Sequence, residues 1–188
     1  KGDYPFAFLA TYAAEPSVTG KAKHLPLKNA LMEYGQNSKK LLELLSTVYK
    51  ATRDSQFVSG LLESGEIFYP IGLNVQEAYI FLKEVPLYES AGILCRIPNW
   101  WRKKSGSAKM SIRVGTKEPS KVGMDALLNF DVVLSLGGEQ ITAEDLKKLL
   151  SESAGLAFIK GKWVEADPDK LREVLKAYEK ARKQAKTG

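Results

Sequence analysis

Phe130-Asp131-Val132-Val133-Leu134-Ser135-Leu136-Gly137-Gly138 decides the fold class. Phe130, Val132, Leu134 and Leu136 alternate with Asp131, Val133 and Ser135, the period of a half-buried strand, and the glycine pair turns the chain. Just beyond, Thr142 is placed to cap a helix to about Leu150, with Leu146, Leu149 and Leu150 inward. Upstream, Met110, Ile112 and Val114 alternate with Ser111 and Arg113. From about Gly92, Ile93, Cys95 and Ile97 point one way while Leu94 and Arg96 point the other, which predicts another strand. Downstream, a short hairpin is expected from Leu156 to Lys160, turning around Gly161 into Trp163–Glu165. Asp167-Pro168 is a strong helix start, a capping residue followed by proline at the first helical position. Leu171, Val174, Leu175 and Tyr178 give that last helix its apolar stripe.

The first half of the chain has the other period. Leu41, Leu42, Leu44, Leu45, Val48 and Tyr49 make one wide apolar face over Ser38–Lys50, with Ser38 as the expected N-cap. A second helix is predicted from Ser55 to Glu63, ending near Gly65. A third runs from Asn74 to Lys83, with Asn74 as cap, Glu77 at the capping-box position, and Pro86 stopping it soon after. Strands do not alternate with long helices, so a doubly wound parallel sheet is disfavoured. The fold class is α+β: a helical N-terminal half followed by a mostly antiparallel sheet with flanking helices. The whole of 1–188 is read as a single domain, with a subdivision into a helical part, 1–90, and a strand-rich part, 91–188, as the alternative. Both ends read as cuts in a longer protein.

Charge is unevenly placed. Between Arg96 and Lys121 stand eight cations and one acid, a local +7 that leaves −1 for the rest of a chain whose net charge is +6. A local basic patch points to a polyanionic partner more than a uniform coat does. No apolar run approaches the roughly 20 residues that span a bilayer, and the opening stretch lacks the basic flank and cleavage site of a signal peptide. The single cysteine, Cys95, has no internal disulfide partner, and the simplest compartment is the cytoplasm.

Four stretches stand in order: His24-Leu25-Pro26-Leu27-Lys28-Asn29-Ala30-Leu31, then Ala91 through Arg96-Ile97-Pro98-Asn99-Trp100-Trp101, then Met124–Asp131 running into Leu136-Gly137-Gly138-Glu139, and last Lys160-Gly161-Lys162-Trp163-Val164-Glu165-Ala166-Asp167-Pro168. Together they resemble the accessory domain N-terminal to the ATPase core of bacterial Swi/Snf-type helicase-like proteins. The resemblance implies a role in cis to a DNA-stimulated ATPase, whose nucleotide-binding motifs are expected beyond residue 188. A phosphate-cradling loop needs converging glycines and then Lys-Ser/Thr; here Gly20-Lys21 runs into Ala22 and Gly161-Lys162 into Trp163. The fragment is therefore not expected to be an enzyme.

Catalytic chemistry has little to build on. His24 and Cys95 are far apart, His24 reads as structural or merely exposed, and Cys95 as a small hydrophobe on a strand's apolar face. Glu165, Asp167 and Asp169 read as a capped helix start rather than magnesium ligands, so neither metal nor cofactor is expected. The basic segment is the functional candidate. Trp100-Trp101-Arg102-Lys103-Lys104 is expected to join two strands through a mobile hairpin loop to Lys109, with one indole anchoring the core and its neighbour partly exposed. An exposed indole among cations stacks on a base while the cations meet phosphates. The expected nucleic-acid-binding residues are Arg96, Trp101, Arg102, Lys103, Lys104, Lys109 and Arg113, with Arg96 and Arg113 on the polar faces of neighbouring strands. The partners implied are DNA, bound without sequence preference, and the ATPase core of the same polypeptide, with no membrane. The alternative is a protein-docking or structural domain that touches no nucleic acid.

Overall fold

The computed structural model describes residues 3–14, 23–102, 108–115 and 129–187, and within these the side chains of 112–115, 129–131 and 185–187 lie outside the description. The chain is mixed helix and sheet, 54% helical and 23% strand. It forms two compact units, Lys1–Arg96 and Ile97–Gly188.

The first unit holds β1 (Phe6–Phe8), β2 (Thr11–Ala13), β3 (His24–Pro26), α1 (Lys28–Tyr34), α2 (Ser38–Thr52), α3 (Gln56–Ser64), a 3₁₀ turn (Glu66–Phe68), β4 (Ile71–Leu73) and α4 (Val75–Ser90). β1 pairs with β4 and β2 with β3, both antiparallel. The three predicted helices are present. Asn37, not Ser38, caps α2, its side chain accepting from the Lys40 amide. Ser55 caps α3, which ends at Gly65 in the left-handed region. Asn74 and Glu77 close a capping box on α4.

α4 departs from expectation by running through Pro86 to Ser90. Proline inside a helix costs about 3 kcal/mol through its missing N–H and its clash with the preceding turn. Here Pro86 is on the exposed side while Leu82, Val85 and Tyr88 are buried, so the continuation keeps Tyr88 in the core. Phe81 on the same helix is the hub of an aromatic cluster, 5.5 Å from Phe8, 6.3 Å from Phe57 and 5.3 Å from Tyr88 between ring centroids.

The predicted strand at Gly92–Ile97 does not form. Cys95 is buried and Leu94 and Arg96 are exposed, so the alternation is right, but residues 93–98 take no regular secondary structure. Burial of every second side chain needs only a core on one side; a strand also needs a neighbour for its backbone groups.

The second unit comprises α5 (Asn99–Arg102), β5 (Ala108–Gly115), β6 (Asn129–Leu136), β7 (Glu139–Ile141), α6 (Ala143–Glu152), β8 (Gly155–Ile159), β9 (Lys162–Ala166) and α7 (Pro168–Thr187). β5, β6 and β7 form one antiparallel sheet in that order, and β8–β9 is a separate hairpin. Both tight hairpins use two-residue turns with positive φ at both positions, Gly137-Gly138 (61° and 81°) and Lys160-Gly161 (46° and 85°). Such turns match the right-handed twist of the strands. The core joins Leu134 and Leu136 of the sheet, Ala143 and Leu146 of α6, Ala157, Val164 and Ala166 of the hairpin, and Leu171 of α7. Thr142 and Asp145 close a capping box on α6, and hydrogen bonds from Thr142, backbone first, hold the Asp145 carboxyl below its usual range.

Candidate nucleic-acid interface

Pro98-Asn99-Trp100-Trp101-Arg102 winds into a short helical turn, where an extended connection was expected. The Pro98 carbonyl accepts from the Trp101 amide at 3.1 Å and the Arg102 amide at 3.4 Å. Successive side chains in a helix diverge by about 100° rather than 180°, so the two indoles share one side. Both are half-buried, meeting edge to face with centroids 6.0 Å apart and planes at 88°. Neither is sealed in the core. Arg102 is exposed at the last residue of α5.

Trp101 and Arg102 are thus brought together. Lys109 stands exposed on β5, opposite Ser135, whose hydroxyl donates to the Lys109 carbonyl at 3.5 Å. Arg113 is on the same strand, in register with Asp131, and its side chain lies outside the described residues, as do Lys103 and Lys104 altogether. Arg96 is exposed but belongs to the other unit and to no strand. The partner of β5 is β6, so a continuous charged sheet face from Arg96 to Arg113 is not formed.

α5 packs beside β9, and this uncovers residues the sequence reading passed over. Phe158 of β8 stands directly opposite Trp163 of β9, with ring centroids 5.2 Å apart and planes at 55°. Phe158 is 51% exposed and Trp163 half-buried. At the hairpin tip Lys160 and Lys162 converge on one carboxylate, Glu139, at 3.3 and 2.9 Å. The Lys162 contact first, then Lys160, holds the Glu139 carboxyl below its ordinary value of 4.5. A two-residue turn at Lys160-Gly161 fixes 158 opposite 163; that register was the available signal.

One other cluster resembles catalytic machinery. Ser55 and Tyr88 both donate to Glu84 Oε2, at 2.6 and 2.7 Å, and the Ser55 hydroxyl accepts from the Val58 amide. Burial, first among its causes, pushes the Tyr88 phenol far above its usual range. Ser55 is 1% exposed, so no substrate reaches it; the network caps α3 and ties it to α4. Among the described residues no group of three His, Cys, Asp or Glu side chains is placed to hold a metal ion, and no helix is long and apolar enough to cross a membrane.

The chain is α+β, and its second unit carries the two half-buried indoles and exposed Arg102 of α5 as well as an open groove of about 470 Å³ between α6 and α7, lined by Glu144, Lys147, Tyr178, Glu179, Arg182 and Lys183. Residues 66–188 match the family described as SNF2 Helicase protein, and the chain belongs to that family. It is also similar to the putative ATP-dependent helicase/translocase YwqA of Bacillus subtilis (strain 168), with 29% identity over 113 residues. That match covers 58% of this chain and 12% of the relative, so the chain spans a small part of the protein it resembles. No solved structure matches. The Swi/Snf resemblance is borne out by both comparisons, and the family match takes in the last three of the four stretches.

Proposed function

We propose that this chain is a non-catalytic accessory domain preceding the motor core of a cytoplasmic, bacterial Swi/Snf-type DNA-dependent ATPase, and that its basic segment makes weak, sequence-independent contact with DNA or steers the core in cis. The observation that carries the reading is α5: an exposed Arg102 beside two half-buried indoles, running in sequence into Lys103-Lys104. Family membership supplies the context of a helicase-like parent. Phosphate contacts position a protein without reading sequence, so binding is weak and salt-sensitive.

Fluorescence anisotropy with labelled duplex at low salt tests it. Reversing Arg102, Lys103 and Lys104 to Glu removes up to three phosphate contacts and lowers the slope of log affinity against log salt by about 0.9 for each. No binding by the chain, together with unchanged binding when the same reversals are made in the parent protein, rejects the reading. Leu94, 78% exposed beside exposed Arg96, favours a second reading in which part of the surface docks a protein. Capture of the separate motor core, lost on the same charge reversals, would support that one.

A further inference from the structure

We propose that Lys160 and Lys162 form a two-lysine clamp for a backbone phosphate of DNA, and that Glu139 occupies this clamp in the free chain as the anion a phosphate must displace. The clamp rests on the nucleic-acid reading above and adds a second contact site and an internal competitor to it.

Strand alternation assembles the clamp. Val164 and Ala166 face the core, so Lys162, two residues before Val164, leaves β9 on the same side, beside Ile159. Glu139 opens β7 directly after the Gly137-Gly138 turn. That turn packs on β9 so closely that a Cβ at Gly137 would lie 2.4 Å from Cγ1 of Val164. The two hairpin turns therefore meet, and one carboxylate is shared between two ammoniums. Lys162 Nζ lies 2.9 Å from Oε1 of Glu139, and Lys160 Nζ lies 3.3 Å from Oε2. Both lysines are exposed and Glu139 is half-buried, so the cations stand nearer to solvent than the anion between them.

Charge and backbone both mark this contact as more than a brace between turns. Glu139 cancels one of the two positive charges and leaves the other in excess. Each ammonium carries three donors and directs one at Glu139. After the Thr142 hydrogen bonds, the charges of Lys148 and Lys160 help hold the Asp145 carboxyl low, which places a third exposed lysine at the same end of the unit. A phosphodiester has the shape the clamp already grips, one negative charge spread over two free oxygens. Exposed ion pairs are weak, so exchanging Glu139 for such a group costs little. Lys160 is also the one non-glycine with positive φ among the described residues, at 46°. Turns of this type favour Asn, Asp or Gly there, and the β6–β7 turn beside it has glycine at both positions. A lysine in that place sacrifices backbone stability, and such strained residues cluster where function requires the side chain.

The test uses the chain of 188 residues and a labelled duplex, in anisotropy titrations over a range of salt, with a thermal melt of every variant. Glu139→Gln removes the competitor and is expected to bind duplex more tightly at low salt. Its slope of log affinity against log salt steepens by about 0.9, one phosphate's worth, so its advantage over the wild type shrinks about 3.5-fold between 50 and 200 mM salt. Glu173→Gln, the same change of charge at an exposed position of α7, is the control and leaves the slope unchanged. Lys160→Asn suits the turn better, so it is expected to raise the melting midpoint while weakening duplex binding. In a Lys160→Asn, Lys162→Ala background the gain from Glu139→Gln disappears. Equal effects of Glu139→Gln and Glu173→Gln, or a gain that survives loss of both lysines, overturn the clamp. If Arg102→Glu weakens duplex binding while Glu139→Gln matches the wild type in affinity and slope, the clamp is overturned and the phosphate reading of α5 stands. Duplex binding by neither the wild type nor Glu139→Gln sinks both.

Discussion

Gly137 is a position where one added methyl group meets both the backbone and the core. Its φ is +61°, and a Cβ built there lies 2.4 Å from Cγ1 of Val164. Two independent penalties follow. A left-handed conformation costs an L-residue roughly 1–2 kcal/mol. The close approach requires Val164 to move, and Val164 is 2% exposed in the core, with a β-branched side chain that has few rotamers to choose from. Overpacking of that kind costs about 1–3 kcal/mol. Gly137→Ala is therefore expected to destabilise by about 2–5 kcal/mol. Gly138 is the internal control: φ is +81° and nothing lies within 4 Å of its Cβ position, so Gly138→Ala carries only the backbone term. Tryptophan fluorescence in urea reads the difference cleanly, because Trp100, Trp101 and Trp163 all belong to the Ile97–Gly188 unit. With an extra cost of about 1–3 kcal/mol and a slope of similar size per molar urea, the Gly137→Ala midpoint falls by roughly a molar below that of Gly138→Ala. In a Val164→Ala background the extra cost of Gly137→Ala should vanish. Equal midpoints for the two glycine variants, or no rescue by Val164→Ala, refute the close packing of the β6–β7 turn on β9.

Ser55→Ala removes the α3 cap and one of the two donors to Glu84, and is expected to cost about 2 kcal/mol, followed by circular dichroism because no tryptophan belongs to this unit. Pro86→Ala restores an N–H to a helix that continues regardless, so thermal unfolding of the same unit should move upward, by about 2 kcal/mol once the looser unfolded chain is counted. Glu139→Gln should flatten the acid limb of stability. The native carboxyl is held below 4.5, so its contribution is present above that value and is lost as pH falls through the lowered one; wild-type fluorescence melts should therefore weaken more steeply below pH 4.5 than those of the variant.

Elements with long periodicity or a strong cap were legible in the sequence. The stripe of α2, the Asn74–Glu77 capping box, the Thr142 cap and the Asp167-Pro168 start each specify their structure within a few neighbouring residues. β1–β4 was not, because three-residue strands carry no period and Phe6 finds Leu73 across most of the first unit. β7 is equally short, its place set by the Gly137-Gly138 turn. α4 outran Pro86 because tertiary burial of Tyr88 outweighed a local penalty. At Gly92–Ile97 the pattern gave burial correctly and hydrogen bonding wrongly, which moved Arg96 off the expected sheet. Of the candidate site, Trp101 beside Arg102 was legible from adjacency alone, but the half-buried state of both indoles required α5 to be helical. Phe158 escaped notice because its exposure depends on how far cover extends along the hairpin face.

Salt makes the proposed phosphate contacts decidable. If Arg102 and the lysines after it in sequence meet phosphates, each contact removed lowers the slope of log affinity against log salt by about 0.9 on a duplex and about 0.7 on a single strand. Charge reversal at Arg102 then tilts the line for both ligands. A reversal that lowers affinity without tilting either line would mean that α5 acts through its fold or through a protein contact instead of through charge.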